Sequence, residues 1–235
     1  MWQIVLLAMA SPARRAVVAY TDNGPILEYA FGDFACGIDV PTASAHVVAA
    51  LSLISRTTPG LTFTPGPNGL EFVATDCASC NVWGYTSVNN TINLGWCATN
   101  LHAIVHEILH KLGFEHEQFH PNAADYVTIN TSAMTAEAVV QWDSEPNPIY
   151  LSPFDICSVM MYSVEAEPAV TLTPLGAAAL SSCSDAILSA SDIVALRAAY
   201  PSDTKSSTQP ASALAVVIAA GLIAVVALVV LGHTP

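Results

Sequence analysis

Apolar positions recur at helical spacing in three stretches of the chain. "PTASAHVVAALSLISR" (Pro41 to Arg56) gathers its aliphatic residues on one face and carries proline near its first turn, which predicts an amphipathic helix. "TNLHAIVHEILHKLG" opens on Thr99 or Asn100 as a cap and closes on Gly113, the residue best suited to a left-handed position after a helix. "LSASDIVALRAAYP" (Leu188 to Pro201) predicts a further helix, capped by Ser189 or Ser191 and stopped by Pro201. The β-branched and aromatic content of "LEFVAT" and "NTINLGW" predicts strands. Helix, strands, helix and then irregular chain, with no internal repeat, indicate an α+β domain.

The two ends break this pattern. From Ala213 to Leu231 about nineteen residues carry no polar side chain, and as a helix they would span close to the ~30 Å of a bilayer's hydrocarbon core. No Lys or Arg follows to act as a stop-transfer anchor, and small residues near Ser202 with a polar spacer also suit a lipid-anchor signal. Both a transmembrane helix and a lipid anchor are open. At the other end a short apolar run with an Ala8-x-Ala10 site suits a signal peptide. Arg14-Arg15 then looks like a processing site that would release Ala16. The expected organisation is a signal and processing segment over 1–15, one domain over 16–201, a Pro/Ser/Thr linker over 202–212 and the membrane segment over 213–231.

Composition narrows the function. The 235 residues carry a net charge of −13 with only 6 Lys plus Arg, so neither nucleic acid nor an anionic lipid surface is an expected partner. The 6 cysteines form an even set, which favours disulfides in an exported chain. Cys77 and Cys80 have the spacing of a redox or zinc-knuckle pair, but no second close pair or βαβ pattern accompanies them, so a structural disulfide role is expected. Sequons at Asn89 and Asn130 are compatible with export.

Against this sparse background, residues 106 to 117 read "HEILHKLGFEHE". His106 and His110 lie about 40° apart around a helix axis, one turn above the other, so both imidazoles can reach one ion. Glu107 points about 100° away from His106, placed to touch a water on that ion without ligating it. Gly113 turns the chain so that His116 can return as a third ligand. Three neutral nitrogens with one open position are the arrangement of a catalytic zinc. A match to His-Glu-x-x-His-x-x-Gly-x-x-His arises by chance in a chain of this length on the order of once in ten thousand. His102, another turn back, is expected to pack or meet solvent.

These residues resemble the zinc endopeptidases called metzincins, and within them the astacins. Phe114 and Glu117 match the astacin positions after the glycine and third histidine, "YVTIN" (Tyr126 to Asn130) matches Tyr-Val-x-Ile-Asn, and "PFDICSVMMY" resembles the lead-in and Met-turn. "NGPILEY", "NLGWC" and "LSASDIVALRAAY" are similar to the family's first strand, its strand before the active helix and its closing helix. The resemblance covers roughly Asn23 to Tyr200. It implies a mixed twisted sheet with the active-site helix in the N-terminal half and a mostly irregular C-terminal half with one helix.

It further implies that His106, His110 and His116 hold Zn2+, that Glu107 is general base and then general acid, and that Met160 forms an apolar floor. Tyr162 would be a displaceable ligand that supports the oxyanion, and the amine of Ala16 would meet Glu117. The implied activity is hydrolysis of protein or peptide substrates, secreted or at the outer face of a membrane. The alternatives are a catalytically silent surface protein used for adhesion or recognition, and a zinc hydrolase of another bond. Departures are the segment "QFHPNAAD" after Glu117, Met161 where the family has histidine, and a missing family cysteine near Leu61. By the resemblance Cys97 pairs with Cys80 (or Cys77) and Cys157 with Cys183, leaving Cys36 for the remaining one. Phe31 to Asp33, "FGD", is expected to be an ordinary turn.

Overall fold

A computed structural model describes residues 19–21, 24–82, 90–133, 151–162 and 169–202. The elements in order are β1 (Ala19–Thr21), β2 (Gly24–Phe34), α1 (Val40–Thr57), β3 (Thr62–Pro65), β4 (Leu70–Ala74), β5 (Asn81–Val82), β6 (Thr91–Asn93) and α2 (Leu101–Lys111). After them come β7 (Val127–Ile129), β8 (Val170–Leu172), α3 (Pro174–Leu180) and α4 (Ala190–Ala199). Sequence segments 1–15 and 213–231, Ala16, Asn89 and most of the linker lie outside the described residues. Among the described residues no helix is long and apolar enough to cross a membrane.

β1 to β6 form one six-stranded sheet in the order β1-β2-β4-β6-β5, with β3 also on β2. β2 runs parallel to β3 and β4, and β4 parallel to β6, whereas β1 and β5 are antiparallel to their neighbours. The sheet is therefore mixed, as expected. In β4, Leu70, Phe72 and Ala74 are fully buried. Helix α1 starts where the Asp39 side chain accepts from Thr42 N, with Pro41 in the first turn, and buries Ala43, Val47, Ala50, Leu51 and Ile54. That spacing is one helical face, and it packs into a single core with β4, β6 and the apolar side of α2.

The expected turn at Phe31 to Asp33 is instead strand. These residues lie inside β2, whose register against β4 shifts between Phe31 and Phe34. Gly32 marks the irregularity: a Cβ there would stand 2.8 Å from Glu71 Oε1 and 2.9 Å from Val73 Cγ1. The glycine permits close approach to the neighbouring strand rather than a reversal of the chain.

Among the described residues the C-terminal half holds a short helix besides the expected one. α4 is the expected one, with Ser189 and Asp192 forming a capping box. α3 is additional and short, capped by Thr173 with Pro174 in its first turn. Its Gly176 sits so close to β7 that a Cβ would lie 1.9 Å from Tyr126 O. A second, smaller core of Ala123, Val127, Ile156, Met161 and Val170 underlies this half.

The cysteines pair as Cys36–Cys77, Cys80–Cys97 and Cys157–Cys183. The two cysteines of the close pair thus go to different partners, which removes both the redox and the metal reading. Of the two partners open to Cys97, it takes Cys80.

Candidate metal site and its neighbours

Helix α2 carries the site. Asn100 caps it, its side chain accepting from Ala103 N at 3.1 Å, and Ile104, Val105, Ile108 and Leu109 seat it in the core. The far end closes with two bonds of a Schellman motif: Phe114 N donates to Leu109 O and Gly113 N to His110 O, each at 3.0 Å. Gly113 takes φ +92°, the left-handed conformation that the motif requires. This reversal brings His116 back beside the helix. It also leaves the Phe114 carbonyl 2.8 Å from His110 Nδ1.

The three imidazoles converge. His110 Nε2 lies 3.0 Å from His106 Nε2 and 3.0 Å from His116 Nε2. His106 Nδ1 lies 2.8 Å from Val159 O. Carbonyls only accept, so His106 and His110 carry their proton on Nδ1 and present a bare lone pair at Nε2. Two such nitrogens facing each other at 3.0 Å are not a hydrogen bond. The spacing is close to the ~3.3 Å edge of a tetrahedron with zinc–nitrogen bonds of about 2.0–2.1 Å. The donor set fits zinc. His106, His110 and His116 form the one three-residue metal-binding group found among the described residues. His102 is exposed and outside it. Burial pushes the His106 imidazole down to about 4, against the bond to Val159 O, so it stays neutral over the range in which a metal ligand must be neutral.

Glu107 shares the helix and is only 7 % exposed. In the metal-free protein burial lifts its carboxyl to about 8, partly countered by Lys111 one turn on. Lys111 is itself buried and held down to about 8 for the same reason, with Glu107 opposing. The Glu107–Lys111 pair was visible in the sequence as an (i, i+4) carboxylate and ammonium, but only the fold shows that both ends are buried.

Residues 155 to 162 pass behind the triad. Ser158 N donates to Asp155 O and Met161 N to Ser158 O, forming tight turns, and Glu117 N donates to Met160 O. Met160 belongs to the main core and Met161 to the second, so this turn is where the two cores meet. Met161 thus fills an apolar space, and its departure from histidine is accommodated by packing. The Tyr162 ring lies 4.2 Å from the His116 ring, and its backbone N donates to Gln118 Oε1. Glu117 Oε1 accepts from Asp155 N at 2.8 Å. Burial raises Glu117 to about 7, the Asp155 N–H bond lowers it, and the charges of Asp192 and Asp155 raise it further.

The family model for Astacin, a family of peptidases, matches residues 26–201. The chain belongs to the astacin family. Its cofactor is zinc, and the three histidines supply the matching donor set. It is 30% identical over 102 residues to the zinc metalloproteinase nas-34 of Caenorhabditis elegans, covering 42% of this chain and 17% of that protein. The fold matches high choriolytic enzyme 1, a hatching enzyme zinc-protease of the medaka Oryzias latipes. The TM-score is 0.57 and the identity 19%, over 77% of this chain and 91% of that one. It also matches myroilysin with a TM-score of 0.50 and 19% identity, over 77% and 95% of the two chains. Astacin architecture accounts for the mixed α+β fold. Ser158 and Asp192, which join the turn over residues 155–161 to α4, have no role assigned by the sequence pattern. Ser158 stood in the stretch that resembles the Met-turn, and the signal for Asp192 was its Ser-x-x-Asp spacing from Ser189.

Proposed function

We propose that this astacin is a zinc endopeptidase that hydrolyses internal bonds of protein or peptide substrates, using Glu107 as its proton carrier. The observation that carries this reading is the convergence of three imidazole nitrogens on one point, with a buried carboxyl group on the same helix. When bound, zinc supplies a Lewis acid for the scissile carbonyl and a water acidified to a pKa of about 7. Glu107 would accept a proton from the attacking water and pass it to the departing amine, which is general base and then general acid work. Its buried surroundings keep bulk solvent from competing for the proton. Tyr162, beside the His116 ring, donates its hydroxyl to the developing oxyanion, an interaction of a kind that contributes about 3 kcal/mol elsewhere. Met160 gives the site an apolar floor.

The site works outside the cytosol in this reading. Three disulfides, in a chain with every cysteine paired, support export. Segment 213–231 holds the enzyme to a membrane as a helix or through a lipid anchor that replaces it, and removal of 1–15 frees the amine of Ala16 to meet Glu117. Zinc stoichiometry and casein cleavage, measured together with and without a chelator, test the assignment. One zinc per chain and chelator-sensitive cleavage are expected. Folded protein that takes up no zinc, or cleavage that survives its removal, overturns it.

A further inference from the structure

A carboxylate far from the triad in sequence reaches it through an unbroken series of hydrogen bonds. Asp192, in the first turn of α4, is 7 % exposed. As a member of a capping box it needs to accept only from Ser189 N, which it does at 2.9 Å. It also takes two donors that the cap does not require. Ser158 Oγ donates to its Oδ1 at 2.6 Å and Val159 N to its Oδ2 at 3.0 Å.

The first of these bonds continues. With its proton directed at Asp192, Ser158 Oγ turns a lone pair to Met160 N and accepts at 3.0 Å. Met160 N–H and Val159 C=O belong to one trans peptide group and point in opposite directions. The Val159 carbonyl accepts from His106 Nδ1 at 2.8 Å. The order is therefore carboxylate, hydroxyl, peptide, imidazole, with every donor aimed toward the charge.

Such a series has two consequences. Each link polarises the next, so the charge on Asp192 makes the Val159 carbonyl a stronger acceptor than a lone peptide. A ligating imidazole whose other N–H is held in this way has its tautomer fixed and its free nitrogen made more basic.

We propose that Ser158 and Asp192 are positioning residues for His106, joined to it through the Val159–Met160 peptide, and that this relay strengthens its grip on a divalent cation. The proposal rests on the zinc reading of the triad. It adds a role for α4: the closing helix presents a carboxylate that tunes a metal ligand on α2. The second bond, from Val159 N, holds the same peptide segment against sliding along the helix end.

The test compares Ser158→Ala, Ser158→Thr and Ser189→Ala in the full chain. Zinc affinity is measured against a chromophoric chelator at neutral pH. The His106 Nδ1–H resonance of the metal-free protein is followed by nitrogen–proton correlation. Ser158→Ala interrupts the relay and should weaken zinc about tenfold, the lower end for removal of such a partner. It should also move the Nδ1–H resonance upfield. Ser158→Thr restores the hydroxyl and should recover affinity. Ser189→Ala removes the bond from Asp192 N to Ser189 Oγ, 3.0 Å long, while leaving the relay intact. It should lower the melting temperature with zinc affinity unchanged within about twofold.

Equal zinc affinity for wild type and Ser158→Ala, or an equal loss for Ser158→Ala and Ser189→Ala, overturns the relay. Should Ser158→Ala fail to fold, the wild-type spectrum decides: a His106 without a proton on Nδ1 overturns the proposal, and a far-downfield, slowly exchanging Nδ1–H sustains it. Wild-type protein that binds no zinc would overturn the underlying zinc reading instead, a result distinct from equality among the variants.

Discussion

Glu107→Gln separates what the buried carboxylate costs the fold from what it gives the reaction. The side chain keeps its shape but loses its charge and its ability to carry a proton. Folded, the carboxyl titrates near 8, against 4.5 when exposed, with burial as the principal cause and Lys111 opposing. Between those values the folded chain holds more protons than the unfolded one, so stability falls as the pH rises through the window. Integrated, the penalty on the metal-free fold is about 3 kcal/mol at pH 7 and below ~1 kcal/mol at pH 5. Glutamine removes that penalty. It also takes from Lys111, held down to about 8 by its own burial, the compensating charge of Glu107, a small loss at pH 7 because a carboxyl titrating near 8 is mostly protonated there. The net gain expected at pH 7 is therefore about 2–3 kcal/mol, shrinking below ~1 kcal/mol at pH 5.

Urea unfolding of chelator-treated wild type and Glu107→Gln at both pH values measures the gain, and casein hydrolysis by the zinc-loaded forms measures the loss. Zinc content should be equal in the two, and cleavage should fall by at least about a hundredfold. A variant less stable than wild type at pH 7, or a gain that is the same at pH 5, refutes burial as the origin of the carboxyl's shift. Cleavage near the wild-type rate refutes Glu107 as the base.

His106 gives a slope of the opposite sign: its folded value of about 4 lies below the ordinary 6.5, so the unfolded chain takes up more protons and metal-free stability falls on acidification. Wild type should lose about 2 kcal/mol more than His106→Asn between pH 7 and pH 4.5 in urea titrations, the carboxyl contributions cancelling in the difference. Gly113→Ala forces a Cβ into the φ +92° conformation and should cost about 1–2 kcal/mol. Because the same turn sets the Phe114 carbonyl and His116, a melting curve and a zinc titration should both show a loss. Replacing Cys157 and Cys183 by serine opens a closure with a sequence separation of 26, worth about 3.5 kcal/mol of chain entropy, which urea unfolding under non-reducing conditions reads directly.

The parts of this chain that were legible in its sequence are those whose physics is local. Asn100 and Ser189 cap their helices with bonds three residues long, and the apolar stripe of α1 follows from a period of about 3.6. The pair His106 and His110 needs only one turn of helix, and His116 needs only a glycine able to reverse the chain. What escaped local reading depends on distant partners. β5 has two residues and exists only because β6 accepts it. The Phe31 to Asp33 segment has turn composition, yet β4 recruits it into the sheet, and Gly32 serves close strand contact.

The same division runs through the candidate site. Met160 and Tyr162 drew their roles from family resemblance, because a methionine and a tyrosine in irregular chain carry no spacing signal. The bond from His106 to Val159 spans 53 positions, and the one from Ser158 to Asp192 spans 34. Neither leaves a periodic trace in the chain. Both nevertheless act on the ion-binding nitrogen that the local pattern did reveal. The metal-ligand spacing tells which atoms can meet an ion. The long-range bonds decide which of those atoms holds a lone pair when it arrives, and so how tightly the ion is held.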